Sequence, residues 1–120
     1  MLKLYAGNRY SIKIEFDEQG AKDLIEGLKN VLKNESNTLK ATDLEERKDI
    51  DLTFIKNSVT NNILFSQKKL IIEMDDDEIE YAIERFEHSI NNKQFFPAEL
   101  CEGILNRKNI TVYARYIDLN

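Results

Sequence analysis

The sequence is poor in the residues that do chemistry. Its 120 residues hold one cysteine, one histidine, one proline and four glycines. A lone Cys101 cannot form an internal disulfide, which suits a reducing compartment and a fold that needs no covalent staple. With His88 as the only imidazole, a zinc site lacks ligands and a Cys–His nucleophilic pair has no supporting spacing. The scarcity of Pro and Gly excludes a flexible linker, so residues 1–120 read as a single domain, long enough to bury a core. No apolar run approaches the ~20 residues of a membrane span. The start of the chain, with Asn8 and Arg9 close behind Met1, lacks the apolar core of a signal peptide. These absences lead to the expectation of a cytoplasmic protein with no membrane partner, no metal, no cofactor and no enzymatic activity.

Charge is what the chain has in excess. Asp and Glu number 22 against 17 Lys and Arg, for a net charge of −5. Nucleic-acid binding is disfavoured, because phosphate recognition depends on Lys and Arg neutralising the backbone. A basic protein partner fits better. The abundance of Asn, Lys and Ile points to an AT-rich gene and a bacterial source.

Alternating residues define the strands. Leu2 and Leu4 mark a short first strand and Gly7-Asn8 a turn. Tyr10, Ile12, Ile14 and Phe16 then alternate with polar residues, the period of a half-buried strand. Asp17 is placed to cap a helix reaching about Leu32, with Ala21, Leu24, Ile25, Leu28, Val31 and Leu32 on one stripe. Gly20 and Gly27 weaken that helix. Residues 33 to 49 are polar and read as a loop. Ile50, Leu52 and Phe54 form the next strand; Asn61-Asn62 and Gln67-Lys68-Lys69 mark turns around Ile63 to Phe65, and Leu70, Ile72 and Met74 follow. A second helix spans about Asp76 to Asn91, turning Ile79, Ala82, Ile83, Phe86 and Ile90 inward. The chain ends in a hairpin around Asn106-Arg107-Lys108-Asn109, whose last strand is apolar on both sides, as a central strand would be. The fold class is α+β: a mainly antiparallel sheet with two amphipathic helices, in the order ββα-βββα-ββ.

Within that order a unit recurs. Ile12 to Asn34 aligns without a gap on Leu70 to Asn92, pairing Ile14 with Ile72, Asp17 with Asp75, Ile25 with Ile83, Glu26 with Glu84 and Asn34 with Asn92. This internal pseudo-repeat predicts two strand-helix units that superpose, with Ile25 and Ile83 at equivalent sites.

The candidate partner-binding residues are acids. Residues 75 to 88 carry seven acids against the single base Arg85. One Asp can cap the helix and first-turn acids favour its positive dipole end, but Glu80 and Glu84, four apart, repel. An EF-hand fails here because Ile79 and Glu80 stand where an oxygen ligand and a glycine are required. Asp75, Asp76, Asp77, Glu80 and Glu84 are therefore expected to face a partner, together with Asp43, Glu46, Asp49 and Asp51 from the second acidic region. Phe95-Phe96 is expected in the core, or else as an exposed anchor. Carboxylate pairs of the hydrolytic kind have many possible spacings in so acidic a chain, and none stands out.

In organisation the chain resembles the small immunity proteins of bacterial polymorphic-toxin and contact-dependent growth inhibition systems. The resemblance rests on the strand that runs into an acid-rich helix in Leu70-Ile71-Ile72-Glu73-Met74-Asp75-Asp76-Asp77-Glu78-Ile79-Glu80-Tyr81-Ala82, then Phe95-Phe96-Pro97-Ala98-Glu99-Leu100 and the closing Thr111-Val112-Tyr113. It implies a cognate toxin domain, often a nuclease, neutralised by direct association. The duplicated order also looks like the Whirly-type topology of nucleic-acid-binding proteins, from whose function the acidic charge departs. Two other functions remain open. One is a nucleic-acid-binding module with Lys13, Lys56, Lys68, Lys69, Arg107, Lys108 and Arg115 on one sheet face, and the other a small carboxylate-dependent enzyme.

Overall fold

A computed structural model describes residues 1–8, 10–66 and 68–119. Strands β1 (Leu2–Asn8) and β2 (Ser11–Phe16) lead into α1 (Glu18–Asn34). Strands β3 (Ser36–Asp43), β4 (Lys48–Lys56), β5 (Ile63–Phe65) and β6 (Lys69–Met74) lead into α2 (Asp76–Asn92), and β7 (Glu99–Leu105) and β8 (Lys108–Tyr116) close the chain. The class is α+β, and β1–β2, β3–β4, β5–β6 and β7–β8 all pair antiparallel.

Three local expectations need correction. Residues 36 to 43 form strand β3 rather than a loop. Of its side chains only Ala41 and Asp43 are buried, so no apolar alternation betrays it. It is held instead by backbone pairing with β4 along its whole length, from Ser36↔Ile55 to Asp43↔Lys48, and by parallel pairing with β1. The turn expected at Gly7-Asn8 comes later: β1 continues to Asn8, whose side-chain oxygen accepts the Tyr10 N–H at 2.7 Å. The last hairpin turns on Asn106 and Arg107 alone, both with positive φ (52° and 67°), as tight two-residue turns require. Gln67 of the expected Gln67-Lys68-Lys69 turn and Arg9 lie outside the described residues.

The repeat extends through the fold. Both helices are 17 residues long, and Glu18 and Asn34 correspond to Asp76 and Asn92. Asp17 and Asp75 cap them alike, each carboxylate accepting the N–H of the residue three further on (Gly20, Glu78) at 2.8 Å. Glu35 and Lys93 both end their helices in the left-handed conformation. Ile25 is half-buried against the core and Ile83 is buried, at equivalent points on the two stripes.

The sheet order, β5-β6-β4-β3-β1-β2-β8-β7, interlocks the halves. Strand β2 lies parallel to β8 with Ser11↔Thr111, and β6 lies parallel to β4 with Lys69↔Asp51, so each helix-bearing strand pairs with the last strand of the other half. The inward residues of the strands and the apolar stripes of both helices form one core. At its centre Phe16, Phe86, Phe95 and Tyr116 meet edge-on or tilted, with ring centroids 4.7–5.9 Å apart.

The two sheet edges curl toward each other. Asn62 bridges Ile104 in parallel, and the Ile104 N–H donates to Asn61 O at 3.0 Å. Gly103 makes this approach possible, because a Cβ there would lie 2.5 Å from both Asn61 O and Ile63 Cγ1. Gly103→Ala is therefore expected to destabilise the protein by about 1–3 kcal/mol, the usual range for overpacking, and to speed hydrogen exchange at the Ile104 amide. Unchanged exchange there would show that the edges do not depend on this contact.

Candidate partner-binding surface

Helix α2 separates most of its acids from its core face by period alone. Ile79, Ala82, Ile83 and Phe86 are buried, whereas Asp76, Asp77, Glu80, Glu84, Glu87 and His88 are exposed. Asp75 is half-buried and occupied in a capping box: it accepts from Glu78 N, while the Glu78 side chain accepts the Asp75 N–H at 3.2 Å. Of the first-turn acids, then, Asp76 and Asp77 are left to face outward. Glu87 lies 4.0 Å from Lys29 of α1, a separation and exposure at which an ion pair contributes little.

Arg85, the one base in this segment, does not neutralise that face. It points inward, only 5% exposed. Its guanidinium donates to Pro97 O at 3.1 Å, Glu99 O at 2.6 Å and Leu100 O at 3.1 Å. It also lies between the rings of Tyr81 and Phe95, 4.2 and 4.8 Å from their centroids. Burial draws its pKa down from the ordinary arginine value, opposed by nearby Tyr81, Cys101 and Glu99. Its counterpart in α1 is Gly27, where a Cβ would come within 2.8 Å of the Asn37 amide. The half with glycine passes from helix to strand through Glu35 alone, whereas the half with arginine needs residues 93 to 98. That longer connection buries Phe95 and leaves Phe96 76% exposed, so the Phe95-Phe96 pair divides between the two expected roles.

The second acidic region lies elsewhere and is partly neutralised. Asp43 is 7% exposed and its carboxylate accepts the Glu45 N–H at 3.0 Å, so it shapes the β3–β4 turn instead of facing outward. Glu46 pairs with Lys48 at 2.6 Å and Asp51 with Lys40 at 2.5 Å, while Asp49 is exposed. The hydrogen bond to Asp51 raises the Lys40 pKa. This turn sits at the Lys48 end of β4, whereas α2 starts beside the Lys56 end, where Lys56 pairs with Met74. At ~3.3 Å per residue these ends are about 26 Å apart. The nine expected contact residues thus fall into two separate regions.

The basic residues do not share one face. Lys13, Lys69 and Arg115 stand at outward positions, but Lys56 and Lys108 occupy the inward register at strand ends. Lys56 Nζ donates to Leu32 O at 3.1 Å, and Arg115 reaches Glu15 at 3.8 Å.

Two features near Arg85 have no simple signal in the sequence. A bulge between Glu99 and Cys101 buries Leu100 and Cys101 in succession and leaves both Glu99 and Glu102 outward. Desolvation, followed by the hydrogen bond that a protonated Glu99 donates to Glu102, raises the Glu99 pKa. Burial, reinforced by Glu78, pushes the Cys101 thiol up to about 12, so at neutral pH it is a protonated thiol and a poor nucleophile. Among the described residues no group of three or more His, Cys, Asp and Glu side chains could hold a metal ion, and no helix is long and apolar enough to cross a membrane.

The chain matches no family model. No curated protein matches it either.

Proposed function

We propose that this protein is an immunity protein: it binds a cognate toxin domain, a basic nuclease, in the cytoplasm of the producing cell and holds it inactive without catalysis. The observation that carries this reading is the outer face of α2, where Asp76, Asp77, Glu80, Glu84 and Glu87 are exposed while Arg85 is turned into the core. A nuclease must attract phosphate with basic residues. An acidic helix can occupy such a cleft, and long-range attraction speeds encounter. Tyr81, 50% exposed among these acids, adds an aromatic of the kind that anchors protein interfaces.

The test starts by asking whether a gene next to this one encodes a large protein with a toxin-like C-terminal domain; that domain, once found, is used in association kinetics and in survival of cells that produce it. Reversing Asp76, Asp77 and Glu80 to Lys should slow association and weaken protection. The fold should persist, since these positions lie off the apolar stripe, with a cost of some tenths to about 1 kcal/mol at each first-turn site. Wild-type association should slow as salt rises, because steering is screened over about 8 Å at physiological ionic strength. A folded variant that associates and protects like wild type would remove α2 from the interface and leave Glu46, Asp49 and Asp51 as the next set to reverse. Binding to DNA or RNA without binding to the basic domain would overturn the reading.

A further inference from the structure

A cavity of about 380 Å³ opens between the 93–98 connection and strand β8. Three cations line it, Lys13, Lys93 and Arg115, together with the aromatics Phe95, Tyr113 and Tyr116, and among the described residues no Asp or Glu lines it. In a chain of net charge −5 that concentration of positive charge runs against the composition. The repeat supplies an internal control. Through the matched helices and parallel registers, the counterparts of Lys13, Lys93 and Arg115 are Ile71, Glu35 and Ile55. The fold is therefore built on one side without these charges, and without the longer connection that walls the cavity.

From this we infer that the cavity binds a small phosphorylated ligand with a planar ring, of the nucleotide class, independently of the acidic face of α2. Lys and Arg are suited to holding phosphate oxygens, and Tyr113, 40% exposed beside Lys13 in the β2–β8 register, offers a ring to stack on. Lys13 has no carboxylate within 4.0 Å among the described residues, whereas Arg115 and Lys93 hold Glu15 and Glu18 at 3.8 and 3.7 Å. Both contacts are long, and the cations themselves are 41% and 65% exposed at Lys93 and Arg115, so the pairs can yield to a phosphate. Lys93 also donates to the Tyr116 hydroxyl at 3.3 Å and has Asp118 nearby as a second acid, so Lys13 and Arg115 are the cations most free to take the phosphate. Glu15 and Glu18 next to the cations favour a single phosphate group over a polymer, whose successive phosphates would meet them.

Calorimetry on the whole chain tests this with AMP, adenosine, inorganic phosphate and a single-stranded oligothymidylate of about ten residues. AMP should bind saturably, with adenosine and phosphate each at least about tenfold weaker. Lys13→Gln, Arg115→Gln and Tyr113→Ala should each weaken AMP by about fivefold or more, and Lys69→Gln, outward on β6, should not. Far-ultraviolet circular dichroism identifies any variant that fails to fold, and ligand-induced amide shifts at Thr111 to Arg115 in the wild-type protein locate the site without a variant. The proposal is overturned if AMP shows no saturation up to about 5 mM, if adenosine alone matches AMP, or if phosphate alone matches it with Tyr113→Ala silent. It is also overturned if the oligonucleotide binds far more tightly than AMP with a steep salt dependence, which would indicate a nucleic-acid surface.

Discussion

Phe86→Ala is expected to lower the unfolding free energy by about 3–5 kcal/mol, a large share of what holds a domain of this size together. The ring is fully buried, 5.1 Å from Phe16 and 4.7 Å from Phe95 by centroid. Its removal thus leaves a void at the junction of α2, β2 and the 93–98 connection. Little nearby can collapse into that space, because Phe16 is itself held against Phe95 and Tyr116. Ile83→Ala should cost less, about 2–3 kcal/mol, since the side chain is smaller and nearer the surface, and Glu80→Ala or Glu84→Ala should be nearly silent. Denaturant midpoints in the opposite order would mean that α2 is rotated from the orientation described.

Arg85→Met should be the next most damaging change, at about 3 kcal/mol. Methionine fills much of the same volume but leaves the Pro97, Glu99 and Leu100 carbonyls without their donor, and each carbonyl cut off from water carries a penalty. Arg85→Lys should recover only part of the loss, because a single ammonium cannot span three carbonyls as a planar guanidinium does. A second readout separates loss of the clamp from general loosening. The Ala114 N–H donates to Ala98 O at 2.9 Å, so its exchange should accelerate more than that of amides in the β3–β4 ladder. Uniform acceleration, or unchanged stability, would show that Arg85 does not fasten this connection.

The parts of the fold that bury side chains periodically were legible from residues alone. Ile12, Ile14 and Phe16, or Ile50, Leu52 and Phe54, show their inward face in a spacing of two, and Asp17 and Asp75 mark helix starts by a hydrogen bond that few other residues can make. Strand β3 escaped because it is stabilised by neighbouring backbones while its side chains, Asn37, Lys40 and Thr42 among them, remain polar. The acidic face of α2 followed from helical period, but its inward-pointing Arg85 did not. The available cue was the pairing of Arg85 with Gly27 across the repeat: a position that takes a glycine in one copy and a long cation in the other has changed surroundings. Asp43 was misleading for a related reason, since an acid in a turn can spend its carboxylate on a backbone N–H two residues away. The cationic cavity drew residues from β2, β8 and the connection after α2, and only the sheet order brings those segments together.

The crossed pairing of the halves also governs when the protein can become itself. Ser11 on β2 finds its strand partner in Thr111 on β8, so the second strand to leave the ribosome must wait for the last. Until then the edge of β2 remains an open template for other extended segments. Contacts between residues so distant in sequence slow folding and lengthen exposure of such edges. Under the immunity role proposed above, that delay would set the order of synthesis: the chain must be finished, and not merely begun, before protection exists.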